Sequence, residues 1–219
     1  MPLQWQQTIV LTGVRTLQAL SKENLKVYTP RLIKMRTFIA VELKEELKKK
    51  IEELQSPLKK LGADVSWVKP GNVHATLKFL GEVPEDKIER VYEGTKKALE
   101  GIKGFKLSLK DLGCFPNIRK PRVVWIGVEK GKEELALMAK KIEQELENIG
   151  YPKENREFSP HLTIGRVKSP KNIERLAEQI KTTNFQTEEI EIKEVVVMRS
   201  QLNPAGAIYT PLKKIALLT

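Results

Sequence analysis

The sequence predicts an α+β protein built as a bilobal, pseudo-symmetric duplication with a cleft between its halves, and three observations predict it. Strand-like alternation and helix-like periodicity follow one another along the chain from Met35 onward. The only two histidines stand in one repeated pattern, His74-Ala75-Thr76-Leu77 and His161-Leu162-Thr163-Ile164. In each half a strand and a long helix precede that pattern and a helix follows it, as an internal repeat requires.

Residues 1–34 stand apart. They hold a short apolar run at Ile9-Val10-Leu11 inside a polar stretch, without the basic opening and longer apolar segment of a signal peptide. A poorly packed N-terminal appendage or an upstream start is expected there, a short helical arm being the alternative. At Met35 the pattern changes, so the main domain is expected over 35–219.

From there the elements come in order. Arg36 to Glu42 alternates as a strand. Lys44 to Leu61 places Leu47, Ile51, Leu54, Leu58 and Leu61 on one helical stripe, closed by Gly62. Val65 to Val68 is a short strand, Pro70-Gly71-Asn72 a turn, and Val73 to Gly81 the first motif strand. Pro84-Glu85-Asp86 opens a helix carrying Ile88, Val91, Tyr92 and Leu99, with acidic residues at its positive end. Phe105 to Leu112 is a strand, as is Val123 to Val128. Lys132 to Asn148 is a helix closed by Gly150, and Phe158 to Val167 is the second motif strand. Ser169-Pro170 starts a helix through Ile180, Ile190 to Met198 is one long strand, and Tyr209 to Leu217 is the last.

Composition bounds the function. With 40% hydrophobic and 31% charged residues, and no apolar run near the ~18 that a membrane span needs, the chain predicts a soluble cytoplasmic protein, expected to be monomeric. One cysteine, Cys114, forms no internal disulfide, and with two histidines it makes no zinc site. A net charge of +11 favours polyanionic partners. Against that, Lys48-Lys49-Lys50 beside Glu45, Glu46, Glu52 and Glu53 describes a solvated, salt-bridged helix face. Abundant Lys and Glu is also the bias of proteins from hot environments.

The motif carries the chemistry. A random histidine in this composition matches His-apolar-Thr-apolar roughly 1% of the time, so chance is a poor account of both doing so. In a strand His74 and Thr76 share one face, as do His161 and Thr163, while Ala75, Leu77 and Phe79 in the first motif strand and Leu162 and Ile164 in the second face a core. Two imidazoles meeting across a cleft suit acid and base catalysis, one neutral and one charged near neutral pH, and a hydroxyl beside each suits a tetrahedral anion such as phosphate. For a cation on the non-bridging oxygens, Lys78 shares the front face with His74 in a regular strand. Arg166 faces the back unless Gly165 permits a bulge. An ordinary strand-end charge is the alternative for both.

His74-Ala-Thr-Leu-Lys-Phe-Leu-Gly and Ser159-Pro160-His161-Leu162-Thr163-Ile164-Gly165-Arg166 resemble the paired motifs of the two-histidine (2H) phosphoesterases, and among them the RNA 2′,3′-cyclic phosphodiesterases once named 2′-5′ RNA ligases. The resemblance runs from Met35 to about Leu218, through the opening Arg36-Thr-Phe-Ile-Ala-Val, the Val123 to Gly127 strand, Arg199-Ser200 and Tyr209-Thr210-Pro211. It implies two antiparallel sheets around a central cleft with helices outside. It also implies hydrolysis of RNA 2′,3′-cyclic phosphate ends to 2′-phosphates without metal or cofactor, and a weak reverse 2′-5′ joining. By motif, His74 is implied as proton donor and His161 as proton acceptor, with Thr76, Thr163 and Arg166 on the phosphate. Pseudo-symmetry alone does not separate acid from base. No Gly-x-x-x-x-Gly-Lys loop for ATP is present. The alternatives are a phosphodiesterase for 2′-5′ oligoadenylate or a small cyclic nucleotide, and a non-catalytic module binding RNA ends. Phe79, Phe115, Trp125 and Tyr209 are candidates to stack on a base. Most of them are expected in the core instead, Trp125 above all, since its strand is apolar on both sides.

Overall fold

The structure, a computed structural model, describes residues 33–204 and 206–219. The expected appendage over 1–34 lies outside the described residues except for its last two, of which Lys34 already opens the first strand. The elements are β1 (Lys34–Glu42), α1 (Glu45–Lys60), β2 (Val65–Trp67), β3 (His74–Pro84), α2 (Ile88–Ala98), β4 (Phe105–Phe115) and β5 (Val123–Lys130). They continue with α3 (Lys132–Glu147), β6 (His161–Val167), α4 (Ile173–Thr182), β7 (Ile190–Ile192), β8 (Glu194–Asn203) and β9 (Gly206–Ala216).

Local sequence explains the long helices. In α1 the stripe Leu47, Ile51, Leu54 and Leu58 is buried, each side chain contributing about 1.5–3 kcal/mol of apolar transfer. Glu45 and Glu46 stand at its positive end, and Gly62 at φ +68° releases the chain. In α3 the buried stripe is Leu135, Met138, Ala139, Ile142 and Leu146.

The strands are antiparallel in the order β7-β4-β5-β6-β3-β1-β8-β9, with β2 on the side of β6. Two antiparallel sheets, β3-β1-β8-β9 and β7-β4-β5-β6, join where Ala75 pairs with Leu162, and together they curl into a half-barrel. The helices cover the outside: β3 lies against α3, and α2 packs on α3. The duplicated halves exchange strands. β4 follows the first motif strand yet pairs with β5, and β8 follows the second motif strand yet pairs with β1.

Two expectations change here. The motif strands β3 and β6 do not face each other across a gap; they are neighbours, and the curl of the sheet supplies the concavity. The single strand expected from Ile190 to Met198 is two, because β7 pairs with β4 in one sheet while β8 pairs with β1 and β9 in the other. The chain crosses between sheets at Lys193. Buried residues stand on both sides of the crossing, Ile192 before it and Val195 to Met198 after it, so apolar patterning runs through without marking it.

Candidate active site

On β3 and β6 the front and back faces separate as alternation requires. Ala75, Leu77, Leu162 and Ile164 are buried in the main core, and His74, Thr76, His161 and Thr163 stand half-buried on the opposite, concave face. Carrying the Ala75–Leu162 register one residue each way sets His74 opposite Thr163 and Thr76 opposite His161. A local two-fold therefore passes through that pair. The two histidines are diagonal neighbours, a relation that puts Cβ atoms somewhat less than about 7–8 Å apart, a span one phosphate can bridge between two imidazole nitrogens. The hydroxyls of Thr76 and Thr163 make no hydrogen bond to other described residues.

Each imidazole is anchored in the same way. His74 Nδ1 lies 2.8 Å from the carbonyl of Asn72, and His161 Nδ1 lies 2.7 Å from the carbonyl of Ser159. A carbonyl only accepts, so both Nδ1 atoms carry a proton and both Nε2 atoms are left for the concave face. The rings around them differ. His74 stacks on Phe38 at 4.7 Å and meets the edge of Tyr209 at 5.2 Å, over a small apolar cluster of Phe38, Ala40, Val196 and Met198. His161 meets Phe115 at 4.9 Å and Trp125 at 6.4 Å.

Burial disfavours the charged ring and brings His74 from 6.5 down to about 4; the Asn72 carbonyl opposes the fall and the Arg166 charge adds to it. His161 is lowered by burial too, against the Ser159 carbonyl and with Arg166. Tyr209 is raised by burial, with Arg166 and Arg36 acting against the rise. One guanidinium thus acts on both histidines and on Tyr209.

Arg166 reaches the front through a bulge. Val124 pairs with Gly165 and Trp125 with Thr163, so Ile164 is an extra residue in the β6 ladder. Ile164 and Gly165 both face the back, and Arg166 returns to the concave side. Gly165 has no room for a side chain, since a Cβ there would lie 2.7 Å from Val65. The same bulge occurs in β3. Ile39 pairs with Lys78 and Ala40 with Thr76, leaving Leu77 extra, and here the bulge removes a cation from the site. Lys78 is 1% exposed on the back, its Nζ 2.8 Å from the Pro152 carbonyl and 3.2 Å from Glu143 of α3. Two expectations are corrected, that Lys78 fronts the site with His74 and that Phe79 faces the core with Ala75 and Leu77: Phe79, 58% exposed and paired with Phe38, takes the front position equivalent to that of Arg166.

Trp125 also departs from expectation. It lies on the concave face, packed flat over its cross-strand partner Gly113, where a Cβ would come within 2.2 Å of the indole. An apolar strand hides which of its faces is lined by aromatic walls. Phe115 and Tyr209 stand at the site as well, each against one histidine. Cys114 is buried with its thiol pushed up to about 11, so it offers no thiolate at neutral pH. Among the described residues no three His, Cys, Asp or Glu side chains are placed to hold a metal ion.

Sequence reasoning missed Phe38, Asn72 and Ser159. The last two share a signal, since each precedes a motif histidine by two positions, but they share a spacing without sharing an identity. Asn72 has a second bond: its Nδ2 donates to the Ala207 carbonyl at 2.7 Å and ties the β8–β9 hairpin to the turn before His74.

A curled antiparallel sheet with paired His-x-Thr strands about a local two-fold defines the class, a two-histidine phosphoesterase. The family model described as LigT like Phosphoesterase matches the chain twice, over residues 41–125 and 126–209, one match for each half of the duplication. A protein of Methanothermobacter thermautotrophicus named RNA 2′,3′-cyclic phosphodiesterase is 40% identical over 83% of this chain and 98% of its own length. One of the same name from Thermotoga maritima is 39% identical over 80% and 91%. Among solved structures, E. coli LigT complexed with 3′-AMP superposes with a TM-score of 0.69 at 26% identity, covering 85% of this chain and all of that one. A crystal structure of a Thermus thermophilus protein gives 0.70 at 28%, covering 84% and 98%. The chain belongs to the LigT-like phosphoesterase family. No helix among the described residues is long and apolar enough to cross a membrane.

Proposed function

We propose that the protein opens 2′,3′-cyclic phosphates at RNA ends to 2′-phosphates, with its two histidines as acid and base. The observation that carries this is the shared anchoring of the imidazoles: each Nδ1–H is held by the carbonyl two residues before it, which leaves both Nε2 atoms to one concave face. His161 Nε2 takes a proton from the attacking water. The new P–O bond forms as the P–O3′ bond breaks, and His74 Nε2 gives its proton to the departing 3′ oxygen. Thr76, Thr163 and Arg166 hold the non-bridging oxygens, where negative charge grows. Apolar burial disfavours a protonated His74 in the free protein, and the anionic diester reverses that on binding, since an opposite charge within ~4–6 Å favours the imidazolium. With the 5′-hydroxyl of a second RNA end in place of water, the same groups form a 2′-5′ phosphodiester as the P–O3′ bond breaks, a slow ligation. The relatives' names support the substrate, and the motif resemblance supports the assignment of donor and acceptor.

The test uses an RNA 2′,3′-cyclic phosphate and its analogue with sulfur in place of the bridging 3′ oxygen. Each of His74→Ala and His161→Ala is expected to lose about 10²- to 10⁴-fold on the oxygen substrate. A thiolate leaves without a proton, so His74→Ala alone should regain turnover on the sulfur substrate. Rescue of His161→Ala instead would exchange the two roles, and a 3′-phosphate product would overturn the reaction.

A further inference from the structure

We propose that Gln55 is a positioning residue for this reaction: from α1 it holds the bulge in β6 that turns Arg166 toward the phosphate. The inference rests on Arg166 holding the phosphate, as set out above. Gln55 is 0% exposed, among the buried leucines and isoleucine of the α1 stripe. Its Nε2 donates to the Ile164 carbonyl at 3.0 Å and to the Val68 carbonyl at 2.8 Å. The Val68 N–H donates to the same Ile164 carbonyl at 2.9 Å. Ile164 is the extra residue of the ladder, and its carbonyl is therefore the group a regular strand would carry elsewhere.

Filling space does not account for this side chain. Gln55 Oε1 is buried with no partner, a cost that a leucine or methionine of similar volume would not carry. What the amide does that they cannot is fix two carbonyls at once, the one at the bulge and the one at the end of β2. Without it the strand is free to regularise, and regular alternation from Thr163 sends Arg166 to the back. The other half braces its own bulge differently, with Glu143 of α3 on Lys78. In both cases the polar group comes from the helix of the opposite half.

A double-mutant cycle on the full chain tests it. Arg166→Ala is expected to lower kcat/KM about 100-fold and Gln55→Met about tenfold, while the double variant stays within about twofold of Arg166→Ala alone. Loss of general stability would instead add to the Arg166 effect. If Gln55→Met does not fold, Gln55→Glu keeps the shape while replacing the donating amide nitrogen by oxygen, and the same comparison applies. Full activity of the Gln55 variant, or losses that multiply, overturns the proposal while leaving the reading of Arg166 standing. An unaffected Arg166→Ala overturns both.

Discussion

His74 and His161 hold Nδ1 alike and differ in what encloses the ring, and that difference has a thermodynamic signature. The unfolded chain binds a proton on His74 below pH 6.5, whereas the folded protein, with Phe38 and Tyr209 against the ring, binds it only below about 4. Between these values the unfolded state holds more protons, so stability rises with pH. The contribution is complete above 6.5 and is lost as pH falls toward 4, up to about 3 kcal/mol, with His161 acting in the same direction. Urea denaturation at pH 7 and pH 4.5 measures this. His74→Asn should lose less stability than the native sequence over that interval. Equal losses would mean that the buried ring does not resist protonation.

At the scale of the element, the two bulges decide which cation stands on the concave face with the histidines. Alternation alone put His74, Thr76, His161 and Thr163 on one face, and they are there, because a period of two is all that four consecutive residues need. Past the fourth residue the register shifts. Gly165 marks one bulge in the sequence, since a glycine inside a strand is a usual sign, but its counterpart in β3 is Lys78, which carries no such mark. For that reason Arg166 was legible as a conditional and Lys78 was not legible at all. Lys78→Met should therefore leave kcat/KM within about twofold while lowering stability by up to about 3 kcal/mol, since removing one partner of a buried pair leaves Glu143 and the Pro152 carbonyl without their donor. A loss approaching that of Arg166→Ala would return Lys78 to the site.

Across the whole molecule, the repeat was visible because each half uses the same order of strand, helix and motif strand. The exchange of β4 and β8 between sheets was not visible, since strand pairing is a long-range choice that a local pattern does not encode. Charge divides in a similar way. Among the described residues every ion pair uses a lysine, as in Lys97–Glu145 and Lys213–Glu89, and no arginine takes part in one. Much of the lysine charge is thus met by neighbouring carboxylates, while guanidinium groups, which suit phosphate oxygens in a paired geometry, remain available. Of these, Arg36 and Arg166 act on Tyr209 at the site. A net charge of +11 then bears on substrate length. A mononucleotide 2′,3′-cyclic phosphate meets only the local cations, whereas a longer RNA releases further counterions, changing the slope of log affinity against log salt by about 0.7 per added phosphate contact. Measured between low and moderate salt, KM for an oligonucleotide should rise more steeply than KM for the mononucleotide. Identical slopes would confine recognition to the cyclic phosphate and assign the remaining charge to the solvated surface.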